Sequence, residues 1–307
     1  MYDTDSKGIS YLAGFFMLIA FAIAGLVVAS FVVMPVWTLM TGKSVADMEK
    51  YSGDPAFTNA FQVVQVITAI FLFLVPALLT AFLINKKPLR LLGFVKKISA
   101  KELGLVLAIA LCGIFAASVA SYVNRIIPLP AAWQRLFDGW ENNYIKEMSS
   151  LAGLNTPVEF ALSIVIMGFV PALCEETMFR GGLQNFLTRQ TKNPWVSIII
   201  VSILFSAMHI SYYGFLSRLF LGIVLGLIYY YSGNLWLSIL AHFLNNALAV
   251  TALYVSNLQH RSIESGLNEA GGSIWLGLLA LPVLLYLLWQ LKNFYQQQPK
   301  PDEVLRT

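Results

Sequence analysis

Polar residues in this chain come in short clusters, and long apolar runs fill the space between them. The runs predict eight helices, at about 10–37, 61–84, 102–123, 157–183, 195–211, 216–231, 234–258 and 273–294. Most exceed the roughly 18 residues that mark a helix able to cross a hydrocarbon core of about 30 Å. The fifth and sixth are shorter, which predicts tilt, a kink or re-entry. The first run is too long for the core of a signal peptide and reads as an uncleaved helix. The pattern is that of an all-α polytopic membrane protein with about eight transmembrane helices.

Composition agrees. The chain is 58% hydrophobic and 12% charged, against about 25% charged in soluble domains, and mean hydropathy is +0.70. Its two cysteines, Cys112 and Cys174, both fall in apolar runs and form neither a disulfide framework nor a CxxC site. The chain divides into N-terminal helices with an interfacial loop (1–156), a core holding the candidate chemistry (157–258), and a last helix with a tail expected to be disordered (259–307). The longest polar stretch, 124–155, repeats Trp133, Leu136, Phe137 and Trp140 at helical spacing. That pattern suits a helix lying at the membrane interface, as an aromatic anchor or as a lid beside a site.

Lys and Arg in the loops set orientation. The segment "NKKPLRLLGFVKKISAK" (85–101) holds Lys86, Lys87, Arg90, Lys96, Lys97 and Lys101, which places it in the cytoplasm. Eight spans then put both termini there too, with 12 basic residues on the cytoplasmic side and 7 opposite. The expected location is a prokaryotic cytoplasmic membrane, with lipid as the surrounding partner. The net charge of +4 and pI near 9.0 reflect this bias and need no nucleic acid.

Against that apolar background "LCEETMFRGG" (173–182) stands out. Each charge near the centre of a membrane helix costs about 2.5–3.5 kcal/mol, so Glu175, Glu176 and Arg180 need partners, solvent or a function. Glu176 and Arg180 are spaced i, i+4 and share a helix face as an ion pair. Glu175 points about 100° away, with no partner in sequence. A free carboxylate in apolar surroundings suits general acid or base work. Two of the three histidines also fall in predicted spans. His242 and Asn246 are i, i+4, and both can donate to an oxyanion. Phe205 and His209 are likewise i, i+4, which sets a ring beside an imidazole. Gly181 and Gly182 permit close helix approach.

"EETMFR" (175–180), "FSAMH" (205–209) and "HFLNN" (242–246) resemble the three motifs of the CAAX protease and bacteriocin-processing family, which includes the type II CAAX prenyl endopeptidases. The resemblance spans about 157–250. It implies an eight-helix intramembrane endopeptidase with a cavity reached from the cytoplasmic side, acting on a peptide or protein substrate that is lipidated or membrane-anchored. In that scheme Glu175 activates a water and His209 assists it. His242 and Asn246 stabilise the oxyanion, while Glu176 and Arg180 support the site.

Glutamate-activated water without a cofactor is the favoured mechanism. In the alternative, Glu175, His209 and His242 ligate a Zn²⁺. Two further readings keep the Glu/His cluster but not the chemistry, as a transporter relay or as a non-catalytic scaffold. One feature resists all of these. At 1.5 Å per residue His209 would lie about 21 Å from the cytoplasmic start of its helix and His242 only about 12 Å, so the fifth helix is expected to start further out or to tilt.

Overall fold

The computed structural model describes residues 5–94, 97–262 and 273–297. The tail expected to be disordered falls almost wholly outside them. Nine helices longer than ten residues organise these residues: α1 (Tyr11–Thr41), α2 (Pro55–Ile84), α3 (Ala100–Ile126), α4 (Ala131–Leu151), α5 (Pro157–Thr191), α6 (Pro194–Ala207), α7 (Phe215–Ser232), α8 (Leu235–Leu258) and α9 (Ile274–Gln296). Seven of these are long and apolar enough to span a membrane. The eighth apolar helix, α6, has 14 residues, about 21 Å at 1.5 Å per residue, and falls short of the core thickness. Large apolar side chains such as Phe16, Phe31, Leu39, Trp275 and Leu279 are exposed on the outer faces, where lipid takes the place of water.

Local signals set the ends. Thr156 and Glu159 form a reciprocal capping box at the start of α5, as do Ser99 and Glu102 at the start of α3. Asn193 and Asn234 accept from the first free amides of α6 and α8. Gly233 ends α7 in the left-handed conformation, at φ 63°. The predicted boundaries were mostly too short. α5 runs on to Thr191 because its last turns, although polar, pack against α1 and the segment after α2: Asn185 Nδ2 donates to Leu91 O at 2.6 Å. α6 is the exception and ends earlier than predicted, at Ala207.

Two stretches of α5 have wider, π-type turns, Ile164–Phe169 and Thr177–Gln184. The first precedes Pro171, whose missing amide would otherwise break the α-helical ladder. The second begins right after Glu176. Such turns rotate the side chains beyond them and are frequent at functional sites.

The bundle has two dissimilar ends. At one, the residues before α1 pair with the start of the Lys-rich segment, with Lys7 N donating to Ile84 O at 2.9 Å and Lys86 N to Asp5 O at 2.8 Å. Gly93 O in the same segment accepts from Leu235 N at 2.7 Å, so α8 begins buried beneath it. At the other end lies α4, tied to the turn after α1 (Gly53 N to Ser150 Oγ, 2.8 Å) and to the α6–α7 connection (Ser211 Oγ to Glu141 Oε2, 2.7 Å; Tyr213 OH to Asp138 Oδ1, 2.6 Å).

Two larger apolar clusters, with two smaller ones beside them, fill the bundle. One joins α3, α7, α8 and α9, the other α1, α2, α5 and α6. Close approach between elements depends on glycine at Gly181, where an added Cβ would meet Leu92 O at 2.9 Å. Gly181→Ala should therefore lower the thermal midpoint in detergent, at an overpacking cost of about 1–3 kcal/mol. Gly104→Ala, with nothing within 4 Å, should leave the midpoint unchanged or raise it.

Candidate functional site

Glu176 and Arg180 of the fourth span are partnered as their spacing demands. Arg180 Nη1 donates to Glu176 Oε1 at 2.7 Å, and neither side chain is exposed by more than 1%. Arg180 Nη2 reaches Gly222 O on α7 at 3.2 Å, and its guanidinium lies 4.6 Å from the centre of the Phe205 ring. The same Glu176 oxygen accepts from His242 Nδ1 at 3.0 Å. That bond joins α5 to α8 across 66 residues of sequence, and spacing within one helix could not have revealed it. Glu176 therefore serves both Arg180 and His242.

Glu175 has a different environment. It is half-buried and faces a cavity of about 520 Å³ whose walls include His209, His242 and Asn246. Its Oε2 is buried without a hydrogen-bond partner among the described residues. A buried carboxylate oxygen without a partner needs a water or a substrate atom to satisfy it.

His209 does not lie within a helix as expected. α6 ends at Ala207, and His209 sits in the turn beyond it, ahead of Ile210 at φ 46°. Its Nδ1 bonds Phe205 O at 2.9 Å, satisfying one of the carbonyls left open at a helix end. The depth mismatch is resolved from both sides. α8 starts below the surface, under Gly93, and α6 stops short inside the bundle, so His209 reaches the level of His242. Phe205 lies between them, with its ring 5.1 Å from that of His209 and 5.6 Å from that of His242, edge-on to each.

Hydrogen bonding fixes what each polar group offers. A carboxylate and a carbonyl only accept, so Nδ1 of both histidines carries the proton and their Nε2 atoms are acceptors when the rings are neutral. His242, expected as an oxyanion donor, can donate through Nε2 only after taking up a proton. Asn246 Oδ1 accepts from Asn245 Nδ2 at 3.1 Å, which leaves the Asn246 amide N–H groups free to donate. Asn245 thus orients a residue that the sequence singled out, and was itself passed over. Arg218 was counted with the loop charges. It lies in the first turn of α7, on the wall of a side cavity of about 150 Å³ shared with His209, His242 and Asn246, with its guanidinium over the Tyr144 ring at 4.8 Å. A charge four residues into an apolar run was the available signal.

The zinc alternative meets the same geometry. Among the described residues no three His, Cys, Asp or Glu side chains are grouped so that one ion could be shared. Glu175, His209 and His242 therefore do not fit a zinc site, and no step is routed through a metal.

Residues 157–248 match the family model described as Type II CAAX prenyl endopeptidase Rce1-like. The matched segment contains all seven residues singled out by the three motifs and coincides with the region where the resemblance was expected. It supports a membrane endopeptidase in general terms, working on peptide within lipid. No curated protein and no solved structure matches the chain.

The two adjacent glutamates should separate on substitution. Glu176→Gln leaves Arg180 without its counter-charge in a dry site and should destabilise the fold by about 3–5 kcal/mol. Glu175→Gln removes no observed bond and should melt close to wild type. Thermal melts in detergent would show the difference, and the reverse order would contradict the pairing.

Proposed function

We propose that this chain is an intramembrane endopeptidase in which Glu175 activates the attacking water. The observation that carries this reading is that Glu175, which has an unpartnered oxygen, lines a cavity shared with His209, His242 and Asn246. Zinc chemistry is set aside because the residues do not group for it.

The parts take these roles. Water binds against Glu175, with His209 Nε2 accepting its second proton in a hydrogen bond and fixing its direction. As the water oxygen attacks the peptide carbonyl carbon, its proton passes to Glu175. The carbonyl oxygen becomes an oxyanion and receives the free N–H of Asn246. Collapse of the tetrahedral intermediate breaks the C–N bond, and the proton on Glu175 passes to the departing amine. His242, if it takes up a proton, is stabilised by ionised Glu176, as a buried carboxylate stabilises an imidazolium in hydrolases. It can then donate to the oxyanion as well. Phe205 lies between the two imidazoles, and Arg180 pairs with Glu176. The substrate is a lipidated or membrane-anchored polypeptide, and the chain resides in a prokaryotic cytoplasmic membrane with both termini in the cytoplasm.

The test is a cleavage assay on protein reconstituted in lipid, with a library of bilayer-anchored peptides read by mass spectrometry. Wild type should give new termini and Glu175→Gln none. Asn246→Ala should lower kcat by about 10²–10³ with little change in KM, the usual effect of losing one oxyanion donor. Asn245→Ala should fall between Asn246→Ala and wild type. Activity that tracks zinc content through chelation and return would move the reading to the metal form. Cleavage unaffected by Glu175→Gln would refute it.

A further inference from the structure

The catalytic scheme leaves Arg218 without a task. It lines the side cavity of about 150 Å³ together with His209, His242 and Asn246. Those three, with Tyr144 and Ala249, also line the larger cavity. Glu175 lines the larger cavity and not the smaller, and Arg218 the smaller and not the larger. The two cavities therefore share a wall made of the residues assigned to the water and the carbonyl. Glu175 stands on one side of it and a guanidinium on the other.

That guanidinium lacks a counter-charge. No Asp or Glu lines the smaller cavity, and among the described residues no ion pair joins Arg218 to a carboxylate. Asp138 and Glu141 of α4 are engaged elsewhere, with Tyr213 OH and Ser211 Oγ. Of the five N–H donors a guanidinium carries, one reaches Ser211 O, at 3.5 Å, near the limit of a hydrogen bond. The group is nonetheless seated. The Tyr144 ring lies 4.8 Å away, and Gly214 leaves it room, since an added Cβ there would fall 2.5 Å from Cζ. A cation in the first turn of a helix also opposes the helix dipole, so this position does not stabilise α7. A seated cation with unused donors in a largely apolar cavity calls for an anion from outside the chain.

We infer that Arg218 is a specificity residue that receives a substrate carboxylate in the side cavity, close to the bond that is cut. A carboxylate matches the planar fork of a guanidinium and takes two of its N–H groups at once. A cavity of this order holds a molecule about the size of benzene, so the carboxylate is borne by a short group, an Asp or Glu side chain or the free end of a chain. An extended lipid chain does not fit there. Because Asn246 lines both cavities, a peptide whose carbonyl oxygen meets Asn246 passes beside the side cavity. The inference rests on the protease reading for the bond that is cut. The carboxylate site itself can be measured on protein that cannot cleave.

The experiment uses the full-length protein in lipid and bilayer-anchored peptides in matched pairs. Asp is set against Asn and Glu against Gln at each position beside the bond, and a free C-terminal carboxylate against an amide. Wild type should favour one acidic peptide over its neutral twin by about 10–100-fold in kcat/KM, the range of hydrogen bonds to charged groups. Arg218→Gln should bring that ratio close to unity, and Arg218→Lys should restore part of it. The pair that shows the preference tells side chain from chain end. If Arg218 merely held α4 through Tyr144, its loss would slow both members alike and leave the ratio intact, which would overturn the inference. A wild type indifferent to the charge would overturn it too. The same pairs are bound to Glu175→Gln, where the acidic member should bind more tightly, and to the Glu175→Gln, Arg218→Gln double variant, where it should not. If that binding preference holds while wild type cuts no peptide, the protease reading fails and the carboxylate site stands. Cleavage without the preference refutes the site and leaves the protease reading in place.

Discussion

The oxygen of Glu176 that meets both Arg180 and His242 is the contact on which the site depends. An arginine buried in a membrane bundle is tolerable only with its counter-charge in place. Its one ion-pair partner among the described residues sits a single helical turn away. Because the same oxygen also receives His242 Nδ1, the bond that neutralises Arg180 fixes the face that α8 turns toward α5. With that face set, Asn246 lies one turn further on the cavity wall, and Asn245 locks its amide.

Glu175, the neighbouring carboxylate, is left free by the same arrangement. Two adjacent residues on a helix cannot face the same way, so a structural glutamate at 176 turns its neighbour toward a different surface. The wider turn that begins after Glu176 spans Arg180 and the two glycines, while the earlier one precedes Pro171. Gly181 then brings Leu92 O close, which seats the Lys-rich segment against α5 and the start of α8. Packing at the basic end and geometry at the site are therefore linked through one helix.

The α6–α7 hairpin closes the site from the other side. α6 stops at Ala207, and the turn after it brings His209 back under Phe205. α4 then covers that turn, its carboxylates bound to Ser211 and Tyr213. Its Trp133 is exposed, while Trp140 and Tyr144 line the cavity.

The sequence by itself determined the features set by local periodicity and by the cost of charge in lipid. The long apolar runs, the Glu176–Arg180 pair and the separation of Glu175 from it are properties of one helix, readable because 3.6 residues per turn fixes which side chains are neighbours. The three motifs also marked out the segment that the family match covers. Tertiary structure alone decided the bond from Glu176 to His242, the bond from Asn245 to Asn246 and the place of Arg218 on a cavity wall. Each depends on how separate helices are staggered and rotated against one another. Apolar runs carry almost no record of that, since a lipid-facing leucine and a packed one look the same in sequence. His209 was misplaced for the same reason. Whether a helix continues past Ala207 depended on a neighbouring helix and a roof that lie elsewhere in the chain.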